Sequence, residues 1–261
     1  MKAVKQWNWK LIVGAVVFLS LAFSIVYAIV RISTAPDEPL PGEGHMLLRS
    51  DYVLMLIQCM LGLILMILPS LLERKWSFAV PNYMYILFFA FLYCAIYLGE
   101  VRSFYYLIPH WDTILHAFSG VMLGALGFSL VTLLNSSAKV SVQLSPFFVA
   151  LFAFCFALAM GALWEIYEFS GDSLFGMNMQ KYREYDGTVL IGHAALIDTM
   201  KDVIIDALAA LAVSIVGFIG LKHNRKMLLD VVEPLDAARE TQTAPPTAPA
   251  AEVPALTSRG S

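Results

Sequence analysis

Long apolar runs, rather than an alternation of polar and apolar positions, organise this chain. Residues 11–30 are uncharged between Lys10 and Arg31, residues 52–72 between Asp51 and Glu73, and most of residues 76–99 form a third run before Glu100. Three further runs, at about residues 113–134, 147–169 and 203–221, are just as apolar but enclose acids or a histidine. A bilayer core about 30 Å thick takes roughly 20 residues of helix, because backbone polar groups must pair with one another in lipid. The pattern therefore predicts an all-α polytopic membrane protein whose six transmembrane helices occupy residues 1–221. Residues 222–261 begin with Lys222, Arg225 and Lys226, continue into an Ala/Pro/Thr-rich stretch, and are expected to form a disordered cytoplasmic tail.

Composition supports that class. Of 261 residues, 59% are hydrophobic and 14% charged, against about 45–50% and 25% in soluble domains. A net charge of −3 and the absence of a basic patch exclude a nucleic-acid binder. Membrane lipids are the expected partners. The three cysteines all fall inside predicted spans, so they are expected as small core residues rather than a disulfide framework. The first run exceeds the 7–15 apolar residues of a signal peptide and is expected to remain as an anchor. With the N-terminus inside, the cytoplasmic flanks hold nine Lys and Arg against six outside, which predicts cytoplasmic N and C termini. Fourteen of the twenty acids then fall on the outer side, giving a face that attracts cations.

Candidate chemistry lies where ionisable groups enter the membrane, since each costs about 2.5–3.5 kcal/mol on insertion scales and so faces protein or water. Asp112 and His116 stand four apart at the start of span four, and Gly120 and Gly124 continue their face. Such small-residue spacing lets another helix approach closely. Glu165 and Glu168 share a face at the end of span five, extended by Gly161. Asp198, Asp202 and Asp206 recur every four residues along span six. Up-and-down threading brings all seven to one membrane surface, with His116 and Asp206 each about 6 Å deeper than their partner one turn above. Six carboxylates so placed need protons or a cation among them. Oxygen ligands with one imidazole suit Mg²⁺, Mn²⁺, Ca²⁺, Fe²⁺ or Zn²⁺. The plainer alternatives are that Asp112 and Asp198 cap their helices, that His116 is a satisfied core histidine, and that Asp206 pairs with Arg31 or Arg102. The connection over residues 170–201 lies above this cluster and is expected to be either a lid or an inert outer loop.

The run through Trp111, Asp112, His116 and Gly120 resembles the YjdF-like family of uncharacterised bacterial inner-membrane proteins and, more distantly, VanZ-like membrane proteins. So do the run from Trp164 to Phe169, the run from Gly176 to Gln180, and the run from Asp198 to Asp202. The resemblance covers about residues 111–220. It implies a multi-pass protein of the bacterial cytoplasmic (inner) membrane and no established reaction.

Two expectations of function follow. The first is a divalent-metal-dependent enzyme acting on a lipid or lipid-linked phosphate or headgroup at the outer interface. In it Asp112, His116, Glu165, Glu168, Asp198, Asp202 and Asp206 hold the metal, and Glu165, Glu168 or His116 acts as general base. The second is a cation- or proton-coupled transporter using the same acids. A non-catalytic accessory protein whose acids only join helices is the third alternative.

Overall fold

A computed structural model describes residues 8–38, 47–76, 82–136, 144–184 and 186–223. Beyond residue 223 the expected tail lies outside the described residues. Among those described, the chain is helical, with six helices long and apolar enough to cross a membrane. These are α1 (Trp9–Ile32), α2 (Arg49–Trp76), α3 (Asn82–Leu92) running on into a π-helical segment (Tyr93–Val101), α5 (Trp111–Ser136), α6 (Pro146–Phe175) and α7 (His193–His223). A single turn, α4 (Phe104–Leu107), links the π segment to α5.

Local signals fix most boundaries. Asn8 caps α1 by accepting from the Leu11 N–H, and Ser145 caps α6 by accepting from Phe148, with Pro146 at the first helical position where no N–H is needed. Gly176 ends α6 with φ 63°, a left-handed conformation that costs glycine nothing. Both helices flanking the connection between α6 and α7 overrun the apolar limits read from sequence. α6 continues six residues past Phe169, and α7 starts at His193, ten residues before the apolar run. The added turns, 170–175 and 193–202, carry the polar residues at which the apolar runs read from sequence stop, so hydropathy alone does not mark them as helix.

The spans form two groups. α1, α2 and α3 with its π segment enclose one core, in which Val17, Leu21, Tyr52, Met55, Cys59, Tyr85 and Phe89 are buried. α5, α6 and α7 each pack on the other two, around a second core that includes Phe128, Val131, Val149 and Ala153. Outward-facing residues such as Leu19, Phe23, Leu163 and Ile215 are exposed and apolar, as lipid contact requires. Of the three cysteines expected in the core, Cys59 is buried and Cys94 half-buried, but Cys155 is exposed on the outward face of α6, because its position on the helix turns it away from α5 and α7.

The connection after α6 joins the two groups. Asp172 accepts from the Met179 and Gln180 N–H groups at 2.7 and 3.0 Å, folding the chain back over the end of α6. Met177 and Met179 then pack with Leu54 of α2 in a small third core. Asn178 Nδ2 donates to the Tyr106 hydroxyl and to the Arg183 carbonyl, while its Oδ1 accepts from the Arg183 N–H. Arg183 pairs with Asp51 of α2, and Lys181 pairs with Glu100 of the π segment at 3.1 Å.

Candidate metal centre

The glycines determine how closely the three acidic helices approach. A Cβ on Gly120 would stand 2.9 Å from Ala209 Cβ and 3.2 Å from the Asp206 carbonyl, and one on Gly124 3.2 Å from Val213. The stripe on α5 therefore receives α7, which is the close approach expected from its spacing. On α6 a Cβ at Gly161 would collide with the Asp206 carboxylate, so the missing side chain makes the space that Asp206 fills. Gly127 performs the same service between α5 and α6, facing Ala153.

His116 stands at the centre of the resulting cluster. Its Nδ1 is 3.2 Å from Asp206 Oδ2, and its Nε2 faces Asp112 Oδ1 and Glu165 Oε1, each at 3.8 Å. One carboxylate oxygen from Asp112, one ring nitrogen from His116 and one carboxylate oxygen from Asp202 all lie within 4.8 Å of one another. His116, Glu165, Asp202 and Asp206 are buried, whereas the Asp112 side chain remains 26% exposed and forms the open edge. Both oxygens of Glu165, Oδ1 of Asp202 and Oδ1 of Asp206 have no hydrogen bond of normal geometry. A separation of 3.8 Å is too long for a hydrogen bond. One ion about 2.0–2.2 Å from each ligand can span it.

The remaining two acids lie at the rim. Asp198 is half-buried one turn above Asp202, close enough to feel Asp112 and His116. Glu168 is also half-buried and accepts from the Trp164 indole N–H at 3.0 Å. Asp112, the second residue of α5, lies in the first turn, where the helix dipole favours an acid, whereas Asp198, the sixth residue of α7, lies beyond the first turn and is not a cap. Asp206 does not pair with Arg31, whose Nε donates instead to the Tyr52 hydroxyl. Its partner is His116.

Residues that sequence reading passed over surround this cluster. Tyr105, on α4, packs over Gly99 of the π segment, where a Cβ would come within 2.5 Å of its ring. Burial, then Asp112, Glu100, Glu168 and Asp202, hold its phenol well above the usual tyrosine range, so it is a neutral hydrogen-bond donor beside the acids. Burial alone would lower the Lys181 ammonium, but Glu100 and the neighbouring Tyr106 and Glu168 raise it above the ordinary lysine value. Lys181 also lies against the rings of Tyr105 and Tyr106, at 4.9 and 5.4 Å. Gln180 reaches α7 by donating to Thr199 at 2.7 Å, and Thr199 in turn neighbours Glu165. The connection is thus fastened on three sides. Nothing in sequence spacing pairs Glu100 with Lys181, since 81 residues separate them.

A family model described as "Predicted membrane protein (DUF2238)" matches residues 44–223. The chain belongs to this family. The match includes five of the six spans and every acid of the cluster, leaving α1 outside it. No curated protein and no solved structure matches the chain.

Proposed function

We propose that the cluster is a divalent-cation site and that this DUF2238 protein is a metal-dependent membrane enzyme acting on a lipid or lipid-linked phosphate or headgroup. The observation that carries the proposal is the set of buried carboxylate oxygens on Glu165, Asp202 and Asp206 without hydrogen bonds, gathered around one imidazole. Uncompensated buried carboxylates are expensive, and a cation is the partner that repays their desolvation. Asp112, His116 Nε2 and Asp202 are the ligands. Asp206 receives the His116 Nδ1–H and so leaves Nε2 free to bind metal, the arrangement by which a second carboxylate orients a ligating histidine. Glu165 faces the same ion and serves as ligand or as base toward a metal-bound water. Asp198 and Glu168 line the approach, and Mg²⁺, Mn²⁺, Fe²⁺, Ca²⁺ and Zn²⁺ all suit this ligand chemistry.

Enzyme chemistry fits better than transport because α5, α6 and α7 are continuous helices, and His116, Glu165, Asp202 and Asp206 each stand within about one turn of the end of an apolar run (113–134, 147–169 or 203–221). Transporter sites are typically at the midplane on broken helices. One observation favours a cation- or proton-coupled transporter: Ser214, buried with an unpartnered hydroxyl, lies two turns beyond Asp206 on the buried face of α7. The resemblance to YjdF-like and VanZ-like proteins and the bias of Lys and Arg support a bacterial inner membrane, cytoplasmic termini and a site on the outer surface.

Detergent-solubilised protein incubated with bacterial lipid extract and Mn²⁺ or Mg²⁺ tests the reading, because detergent abolishes any gradient that a transporter needs. The enzyme reading expects a headgroup or phosphate to be lost or transferred, and Glu165→Gln to stop it. A complete absence of turnover, with cation uptake into proteoliposomes that depends on Asp206, would establish the transporter instead.

A further inference from the structure

A second site lies at the opposite end of the bundle from the acids. Lys10, at the start of α1, holds its ammonium 3.3 Å from the centre of the Tyr85 ring. The Tyr85 hydroxyl donates to Glu73 at 2.6 Å and is 3.2 Å from Ser70 Oγ, so α1, α2 and α3 are tied by one polar knot. From this knot a cavity of about 450 Å³ runs into the membrane-spanning part, walled by Phe18, Met66 and Phe89. Its floor is Gly14 and Ala15 of α1, and a Cβ at Gly14 would already press to 3.1 Å from the Phe89 ring. α1 is about 36 Å long at 1.5 Å per residue, and its far end bonds Tyr52 beside the connection between α6 and α7. The cavity is therefore remote from His116.

An apolar slot inside the hydrocarbon layer does not hold water, because it offers no polar partners. An acyl chain matches it in shape and chemistry. The mouth carries the Lys10 ammonium, and Glu73 there accepts from the Tyr85 hydroxyl; Arg74 and Lys75 follow on the last turn of α2. An interfacial cation of this kind attracts anionic headgroups.

We infer that this slot is a binding site for one anionic phospholipid, with an acyl chain between α1 and α3 and its phosphate on Lys10. Nothing in it depends on the metal-centre proposal, and each can fail alone. The test is native mass spectrometry on the delipidated full-length protein, titrated in parallel with phosphatidylglycerol and phosphatidylcholine. One phosphatidylglycerol is expected to bind at least about fivefold more tightly than phosphatidylcholine. Lys10→Ala should abolish the preference, Lys10→Arg should keep it, and Ala15→Leu should weaken both lipids by filling the floor. Equal binding of the two lipids, or a preference unchanged in Lys10→Ala, overturns the site. So does competition by free glycerol phosphate, which would show that no chain is needed, or dimerisation on delipidation, which would put a second copy in the slot.

Discussion

Replacing Asp202 by Asn should strengthen the metal-free protein and weaken the metal-bound one, a reversal that few structural roles produce. Asp202 is 2% exposed, its Oδ1 has no hydrogen bond, and one of its oxygens lies within 4.8 Å of an oxygen of Asp112. Two carboxylates about 5 Å apart, both ionised, repel by about 3 kcal/mol at an effective dielectric near 20, an upper bound on the gain because a proton taken up by either one relieves part of the repulsion. Asparagine removes that repulsion, keeps the shape and adds N–H donors for the neighbouring carboxylates. For a chain of this size that upper bound corresponds to a rise in Tm of no more than about 6–12 °C. Adding a cation at 100 times its Kd stabilises the wild type by about 2.7 kcal/mol, whereas the variant has lost a ligand and should gain little. The assay is thermal unfolding in detergent, with chelator and then with Mn²⁺, for both proteins. If the Asp202→Asn variant melts below wild type in chelator, or if Mn²⁺ raises both by the same amount, Asp202 is neither an uncompensated buried charge nor a ligand.

Three other outcomes are expected. Gly161→Ala drives a methyl group into the Asp206 carboxylate, so it should cost about 1–3 kcal/mol by overpacking and weaken Mn²⁺ binding together with stability, read by melting and titration. Lys181→Met breaks a pair whose side chains are 15% and 8% exposed and should cost about 3–5 kcal/mol at neutral pH. Because Glu100 raises the folded Lys181 above its unfolded value, that stabilisation is complete below about pH 10.4 and lost only above the folded value. The gap between wild type and Lys181→Met should therefore be constant from about pH 6 to about pH 9, and a gap that closes within that range refutes the pairing. Tyr105→Phe should leave Mn²⁺ affinity within about twofold, because a phenol that stays protonated beside the acids supplies no ligand oxygen; a roughly tenfold or greater loss on titration would make Tyr105 part of the metal site.

The sequence already displayed the six spans, because a lipid environment makes hydropathy a nearly complete description of a helix. It also displayed the faces: spacings of four placed Asp112 with His116 and Asp202 with Asp206, and Gly120 and Gly124 announced a close neighbour. What it lacked was the distance between helices. That α7 is the helix against Gly120, and that Asp206 fills the gap left by Gly161, are tertiary facts with no local signature. The connection between α6 and α7 shows the same limit from the other side. Its length suggested a lid or an idle loop, yet Asp172, Asn178, Lys181 and Arg183 bind it to α2, α4, α6 and the π segment. Asp172 bonds residues only seven and eight positions on, but Asn178, Lys181 and Arg183 are ordinary polar residues whose partners Tyr106, Glu100 and Asp51 lie 72, 81 and 132 positions away. The π segment was equally hidden, since Tyr93–Val101 reads as plain apolar helix until Tyr105 is seen packed over Gly99.

The most direct measurement is electron paramagnetic resonance of Mn²⁺ titrated into the purified, metal-stripped protein, with the modulation that reports a directly coordinated nitrogen. One tightly bound ion per chain, bearing a single nitrogen coupling that His116→Gln removes, is the predicted result. Mn²⁺ that stays free in solution, or binds with no nitrogen coupling, would contradict the claim that these three helices assemble a metal centre around His116.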